Sequence, residues 1–365
     1  MDLDDFIAFK QLDPQNMLGE IDNLPAQLEK AWELGQTQPC EGFPSGDDVN
    51  PPQGFSRILI AGMGGSAIGA DLLAAYIAPT CPVPVIVHRD YGLPAWAHGP
   101  ETLVIASSHS GNTEETLDAF NAALQNKCQL MAVATGGKLA ERAAQANIPR
   151  WEFEHRGQPR AAVGFSFGLL LAAFTRLGLI PDPVKVTNEV VTTIAAMKKQ
   201  QETLRADIPV AHNPAKRMAG QLVGRWVNVY ASGCLTPVAR RWKGQVNEIA
   251  KAGAGFEVLP EADHNALTGL LNPEDVLPRM TTVFLRAPSD HPRNSLRLDL
   301  TRQEFMVEGL TTEIYEAQGE SPLAHIWTTL HFGDYTAYYL AMAYGANPTE
   351  VEALENFKAA MKATR

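Results

Sequence analysis

Residues 57–72 read RILIAGMGGSAIGADL, an apolar run followed by a glycine-rich turn and a second apolar stretch. A short apolar run that ends at turn residues is typical of a buried parallel strand. Glycines let the backbone approach a ligand closely, and the first amides of a following helix are free to bind an anion. The stretch therefore predicts a strand, a turn and a helix, with an anion site at the turn.

Three further apolar runs follow in the first half of the chain: residues 84–88 (PVIVH), 102–106 (TLVIA) and 128–134 (CQLMAVA). The stretches between them are rich in alanine or have apolar residues at helical spacing. Strands that alternate with helices in this way are typical of a doubly wound α/β sheet. We expect the first domain to cover residues 1–155.

The strand and helix alternation resumes in the second half of the chain. We expect connecting helices over residues 156–205, a second α/β domain over 206–330 and C-terminal helices over 331–365. The strand candidates are residues 226–231 (WVNVYA), 256–259 (FEVL), 281–286 (TTVFLR), 303–307 (QEFMV) and 311–317 (TTEIYEA). A faint echo between residues 57–73 and 226–242 suggests a duplicated module. Only the first copy has a continuous glycine-rich turn, so we expect one anion site per chain.

Charge and composition exclude several classes of protein. The 365 residues include 30 basic and 41 acidic residues, a net charge of −11, which argues against a surface for nucleic acid or anionic membranes. None of the four cysteines forms a CxxC pair, so neither a zinc site nor a redox dithiol is indicated. The acidic N-terminus is unlike a signal peptide, and residues 164–174 (GFSFGLLLAAF) are too few to span a bilayer. We expect a cytoplasmic protein, and a buried helix over residues 164–174.

Two functions, dinucleotide binding and phosphate binding, compete as interpretations of the glycine-rich turn. The turn at residues 62–69 (GMGGSAIG) fits the loose dinucleotide pattern GxGxxA, with Asp90 as the acid that would bind a ribose. Residues 107–116 (SSHSGNTEET) supply the hydroxyls of Ser108, Ser110 and Thr113 at a second helix start. A helix cap explains only one of these hydroxyls. A phosphomonoester shared between the two turns explains the others, and a dinucleotide does not need them.

The two turns together resemble the sugar isomerase (SIS) domain, an α/β module that binds phosphosugars. Residues 241–251 (RWKGQVNEIAK) and 261–270 (EADHNALTGL) are similar to segments of the bifunctional phosphoglucose/phosphomannose isomerase family, whose members contain two SIS domains. The resemblance implies two SIS-type doubly wound domains, each a parallel sheet flanked by helices, plus C-terminal helices. It also implies that the substrate phosphate is bound by Gly65, Ser66, Ser108, Ser110 and Thr113.

The same resemblance implies the catalytic residues. Glu248, in the NE position of the RWKxQxNE pattern, would move a proton between two carbons of the substrate. His264 would open the sugar ring and reach the site from the neighbouring subunit, which implies a homodimer. Asp263 and Asn265 flank His264 and are expected to orient it. No metal or cofactor is implied.

Two cations complete the implied set. Lys358 would assist at the ring oxygen, although its spacing also fits an exposed lysine on an amphipathic helix. Arg160 would stabilise the developing enediolate, and its alternative is an ion pair with Glu154 or a nearby acid. Glu248 itself has an alternative, a solvated surface pair with Lys251.

The sequence departs from the family pattern at two positions. His109 stands where the serine-rich loop commonly has tyrosine, and Asp263 stands where asparagine is usual. The predicted function is a cytoplasmic isomerase that interconverts glucose 6-phosphate, mannose 6-phosphate or both with fructose 6-phosphate. The alternatives are a non-catalytic, phosphosugar-binding SIS regulator and an NAD-linked dehydrogenase.

Overall fold

The computed structural model describes residues 2–39 and 54–364. A first sheet of five parallel strands has the order β2-β1-β3-β4-β5. Its strands are β1 (Arg57–Ala61), β2 (Val85–His88), β3 (Thr102–Ser108), β4 (Gln129–Ala134) and β5 (Arg150–Glu152). The four apolar runs of the first half form the four predicted strands, and β5 is an addition.

Helices cover the first sheet. The crossovers are α4 (Gly64–Ile77), α5 (Glu114–Gln125) and α6 (Gly137–Gln145), which follow the glycine-rich turn, the serine-rich turn and β4. Three helices precede the sheet, namely α1 (Phe6–Leu12), α2 (Met17–Asp22) and α3 (Leu24–Thr37). The apolar stretch at residues 164–174 is the buried helix that we predicted, α7 (Val163–Arg176), which packs between α3 and α4.

A second sheet of four parallel strands has the order β7-β6-β8-β9. Its strands are β6 (Trp226–Ala231), β7 (Ala254–Val258), β8 (Met280–Arg286) and β9 (Thr311–Glu316). With both sheets parallel and flanked by helices, the predicted fold class is confirmed.

The strand predicted at residues 303–307 is wrong, because this segment ends helix α11 (Pro292–Val307). Leu298, Thr301 and Phe305 face inward at helical spacing, whereas Met306 and Val307 are 55% and 70% exposed. The apolar run that looked like a strand therefore combines one buried position of an amphipathic helix with two exposed ones.

Long helices join the two sheets: α8 (Pro183–Gln201), α9 (Pro214–Leu222), α10 (Thr236–Glu248) and α12 (Pro322–Tyr344). The central helix, α12, contacts the other three and is buried on all sides from Leu323 to Met342. It crosses residue 330, where we expected the second domain to end, and the predicted limits of the domains stay predictions. The last helix, α13 (Glu352–Ala363), buries none of its residues.

No helix in the described part of the chain is long and apolar enough to cross a lipid bilayer. Cys81, Cys128 and Cys234 are free thiols, and Cys40 lies outside the described residues.

Candidate active site

The glycine-rich and serine-rich turns meet at one edge of the first sheet. Strands β1 and β3 are parallel neighbours, and each leads into one of the two turns. In an open parallel sheet, ligands bind beyond the carboxyl ends of the strands, at the point where the strand order reverses. The order β2-β1-β3 puts that point between the two turns. Both turns therefore face the crevice in which this fold binds ligands.

Hydroxyl groups line this crevice with hydrogens still available for an anion. The oxygens of Ser66 and Ser110 accept hydrogen bonds from backbone amides of the serine-rich turn, at 3.1 and 3.2 Å. Ser108 Oγ and Thr113 Oγ1 lie 2.9 Å apart and share one hydrogen bond. Each hydroxyl carries one hydrogen, so four hydroxyls with one hydrogen used leave three. The predicted phosphate-binding side chains are therefore brought together, and they still have hydrogens to donate.

A helix cap does not account for the second turn. Thr113 is the N-cap residue of α5, yet its side chain makes no capping hydrogen bond and pairs with Ser108 instead. Gly65, in contrast, has a packing role, since a Cβ atom there would lie 2.4 Å from the carbonyl oxygen of Pro159. The same Cβ would lie 3.4 Å from the Cα of Arg160. The glycine-rich turn thus packs directly against the backbone that carries Arg160.

Arg160 connects the glycine-rich turn to Glu248. It is 5% exposed, and its Nη1 lies 3.5 Å from Oε2 of Glu248, the last residue of α10. Its Nη2 donates to the carbonyl oxygens of Pro348 and Thr349, at 3.0 and 2.5 Å. Burial lowers the pKa of the Arg160 guanidinium, and the carboxylate of Glu248 opposes that fall. The described ion pair of Arg160 is with Glu248 and not with Glu154, so the alternative of an ion pair with a nearby acid stays open beside the catalytic role.

A buried polar cluster supports this pair from behind. Arg241 forms two hydrogen bonds with the carboxylate of Asp334, at 2.6 and 3.1 Å, and donates to the backbone oxygen of Arg160 at 3.1 Å. Gln245 donates to the same carboxylate at 3.0 Å. Burial raises the pKa of the Asp334 carboxyl, and Arg241 opposes that rise. Asp334 and Arg241 therefore fix α10 relative to Arg160.

The sequence contained a signal for this cluster that we did not use. Arg241, Gln245 and Glu248 are spaced i, i+4 and i+7, so they share one face of α10. Asp334 is the one acid in residues 322–345, a stretch without lysine or arginine, and a buried acid requires a partner.

His264 and Lys358 lie elsewhere on the described surface. His264 ends a short 3₁₀ helix after β7, and Lys358 lies on α13; both are exposed. Within the described residues, no hydrogen bond or ion pair joins either of them to Arg160 or Glu248. The structure thus brings together two of the four predicted catalytic side chains.

Within the described residues, no hydrogen bond joins Asp263 or Asn265 to the imidazole of His264, and their orienting role stays a prediction. The two carboxylate oxygens of Asp263 bind Arg297 at 2.8 Å and Thr301 at 2.7 Å, both on α11. Asn265 donates to Glu261 at 3.0 Å. Asp263 therefore anchors the loop that carries His264.

A chain of three side chains leads away from the serine-rich turn. His109 Nε2 lies 2.9 Å from His155 Nδ1, and His155 Nε2 lies 3.1 Å from Glu20 Oε2. A carboxylate accepts hydrogen bonds, so His155 donates to Glu20 through Nε2. Burial and His155 lower the pKa of His109 to about 4, against the opposing effect of Glu20. His109 is therefore a neutral anchor of the turn.

Among the described residues, no cluster of His, Cys, Asp or Glu has a metal-binding arrangement.

Comparison with known proteins agrees with this geometry. Residues 211–361 match the family model of the bacterial phospho-glucose isomerase C-terminal SIS domain. A bifunctional phosphoglucose/phosphomannose isomerase from Caldicellulosiruptor bescii is 37% identical over 347 residues, which cover 94% of this chain and 98% of that protein. This chain belongs to the bifunctional phosphoglucose/phosphomannose isomerase family.

Other members and solved structures extend the similarity. The bifunctional phosphoglucose/phosphomannose isomerase of Aquifex aeolicus is 30% identical and covers 86% of this chain and 92% of its own. A protein from Thermus thermophilus, described as hypothetical, has a crystal structure with a TM-score of 0.69 and 17% identity, covering 98% of this chain and 93% of that one. At that identity the structural match supports the fold alone.

Proposed function

We propose that the protein interconverts glucose 6-phosphate and mannose 6-phosphate with fructose 6-phosphate. The observation that carries the proposal is the contact of Glu248 with Arg160, whose backbone packs against the phosphate-binding turn. A carboxylate and a fixed cation beside a phosphate site are the groups that aldose–ketose isomerisation requires. Membership of the phosphoglucose/phosphomannose isomerase family supports the assignment. It disfavours the regulator and the dehydrogenase.

The phosphate would be bound by the backbone at Gly65 and by the hydroxyls of Ser66, Ser108, Ser110 and Thr113. The net charge of −11 repels an anion at long range, so the affinity must arise locally. The start of α4 contributes unpaired amides and the positive end of the helix dipole. When these groups bind the phosphate of the substrate, its first carbons would be directed toward Arg160 and Glu248.

Proton transfer is the central chemical step of the proposed reaction. Glu248 removes the proton from C2 of the open-chain aldose, and the electron pair forms the C1–C2 double bond of a cis-enediolate. The hydroxyl proton on O2 passes to O1, and the protonated Glu248 returns its own proton to C1, which yields the ketose and regenerates the carboxylate. Arg160 stabilises the negative charge on the substrate oxygens during both transfers. Rotation of the opened chain before the proton returns would let one base serve both hexoses.

Ring opening precedes this step, and we assign it to His264 and Lys358 as proposals. An imidazole titrates near neutral pH and can accept the anomeric hydroxyl proton, while an ammonium can donate to the ring oxygen. In the proposed assembly, His264 reaches the Glu248 site of the neighbouring subunit.

We propose a homodimer, because the helix that carries Lys358 exposes an apolar face. Leu354, Phe357 and Met361 form a stripe along α13 and are 45%, 64% and 48% exposed. An apolar stripe at this spacing is typical of a helix face that packs against a partner. Phe357→Asp should produce monomers in sedimentation experiments and lower activity. A variant that stays dimeric would contradict the assignment of α13 to the interface.

We also propose that the reaction takes place in the cytoplasm. The family's metabolic substrates and the lack of any CxxC pair among the four cysteines support this location.

The direct test is to incubate the purified protein with fructose 6-phosphate and to separate the hexose phosphates by chromatography. Formation of both glucose 6-phosphate and mannose 6-phosphate, in metal-chelating buffer, is the expected result. Failure to form either aldose would contradict the proposed function.

A further inference from the structure

A lysine immediately beyond α10 has an unfavourable backbone conformation. Lys251 follows Glu248 by three residues and has a φ of +56°, in the left-handed region. Residues other than glycine and asparagine avoid this region, because the Cβ atom crowds the backbone. Such conformations concentrate at functional sites, where they position a side chain. The position therefore raises the question of what the lysine side chain supplies that glycine would not.

The ammonium of Lys251 turns back toward the proposed base. Its Nζ donates to the backbone oxygen of Glu248 at 2.6 Å, with a weaker contact to the oxygen of Ile249 at 3.4 Å. The alternative of a simple surface pair between the two side chains is thus replaced by a contact to the main chain. An ammonium has three hydrogens, so at least one remains after these two contacts.

Three charged groups act on this ammonium. Burial and the charge of Arg160 lower the pKa of Lys251 to about 8, while Glu248 and Glu350 raise it. The lysine therefore lies within electrostatic reach of both members of the Arg160–Glu248 pair. Two cations and a carboxylate around one crevice suit a reaction in which negative charge develops on neighbouring substrate oxygens.

The structural alternative is that Lys251 only ends the helix. A cation near the carboxyl end of a helix is favourable, and a left-handed residue commonly ends one. The chain contains an internal comparison, because Lys127 follows α5 with a φ of +57°. No hydrogen bond from the Lys127 ammonium occurs within the described residues. A helix end of this type thus forms without the ammonium contacts that distinguish Lys251.

We propose that Lys251 is a further catalytic residue, whose ammonium contacts the oxygens on the two reacting carbons. Arg160 has fewer hydrogens available for these substrate oxygens, since its Nη2 already donates to the carbonyl oxygens of Pro348 and Thr349. Lys251 supplies a hydrogen bond and a positive charge as Glu248 removes the substrate proton, and it transfers no proton itself. This inference rests on the proposed isomerase function.

Two matched glycine variants test the inference. Glycine adopts the left-handed conformation without strain, so Lys251→Gly and Lys127→Gly should both keep or raise the melting temperature. Lys251→Gly should lower kcat by about 100-fold or more, as loss of a donor to a developing oxyanion does. Its KM should change little, because the phosphate is bound elsewhere. Lys127→Gly should keep full activity.

The outcomes separate the inference from the function on which it rests. If the wild-type protein interconverts the hexose phosphates and Lys251→Gly does so equally fast, only the role of Lys251 is overturned. If the wild-type protein is inactive on all three, the proposed function fails first. A loss of activity in Lys251→Gly with a stable fold supports the inference.

A pH profile adds a readout that a purely structural role would not move. The charged lysine is the active form, so kcat/KM of the wild type should fall as the pH rises through the pKa of Lys251. In Lys251→Arg the cation stays charged, and the fall should shift to higher pH. Arg160, Glu248 and Glu350 face the ammonium and are unchanged in this variant. An identical basic limb in both proteins would overturn the inference.

Discussion

The two sheets of the protein have equivalent central turns, which differ in the side chains that lie between them. In the first sheet, the turns after β1 and β3 combine glycine with hydroxyls that retain free hydrogens. In the second sheet, the equivalent turns follow β6 and β8, and a side chain of the protein occupies them. The Oδ2 of Asp290 accepts the amide of Ala287 at 2.9 Å, and its Oδ1 lies 3.0 Å from where a Cβ on Gly233 would be.

This difference indicates that the two sheets have different roles in the proposed site. The turns of the second sheet are occupied by the buried carboxyl group of Asp290. In the proposed mechanism, the second sheet contributes to the active site through Glu248, at the carboxyl end of α10. The turns of the first sheet would then hold the substrate, and Glu248 would be the base. Asp290 supports our prediction of one anion site per chain, which stays a prediction.

A large effect should come from removing the contact between the two regions. Arg160→Met should lower kcat by about 100- to 1,000-fold, because the guanidinium stabilises charge that exists only during the reaction. Arg160→Lys should also be impaired, since one ammonium cannot reach both Glu248 and the carbonyl oxygens at residues 348–349. Steady-state kinetics give the loss, and retained binding of 6-phosphogluconate shows that the fold is intact. Wild-type kcat in Arg160→Met would contradict the account.

A smaller effect should separate the two sets of turns. Ser110→Ala should raise KM by about 10- to 100-fold, because a hydrogen bond to a charged group contributes about 1.5–3 kcal/mol. Ser289→Ala, in the turn after β8, removes a hydroxyl that bonds to His325 at 2.8 Å and should leave KM unchanged. Equal effects of the two substitutions on KM would mean that the turns do not differ as described.

The smallest effect concerns the carboxylate that fills the second turn. Burial raises the pKa of Asp290, while the hydrogen bond from the amide of Ala287 opposes that rise. A raised pKa favours the neutral acid in the fold, so its contribution is present at low pH and is lost as the pH rises through the folded-state pKa. Asp290→Asn should therefore match or exceed the wild type in melting temperature at pH 7, and the difference should shrink toward pH 4. A variant that loses stability relative to the wild type as pH rises would contradict this.

Much of the fold was predictable because it depends on local patterns. Apolar runs that end at glycine or serine turns gave four strands of the first sheet and the start of each crossover helix. The failure at residues 303–307 has a physical cause, since five residues cannot distinguish a strand from the end of an amphipathic helix. Only the packing of Phe305 against the second sheet, with Met306 and Val307 exposed, decides between them.

The site was predictable only in part, because it joins distant segments. Arg160 and Glu248 are 88 residues apart in sequence, and no spacing rule connects them; their assignment came from the family resemblance. The cluster behind them was accessible from helical spacing and from the isolated Asp334. The left-handed conformation of Lys251 could not be predicted from the sequence, because neither composition nor periodicity determines a single backbone angle.

The central claim is that the first domain holds the phosphate while Glu248 moves the substrate proton. Isotope exchange tests it most directly, with fructose 6-phosphate incubated in deuterated water and deuterium followed at C2 of the aldose products. The wild type should incorporate deuterium, and Glu248→Gln should lose this by about 100- to 10,000-fold while still binding 6-phosphogluconate. Incorporation by Glu248→Gln at the wild-type rate would contradict the account.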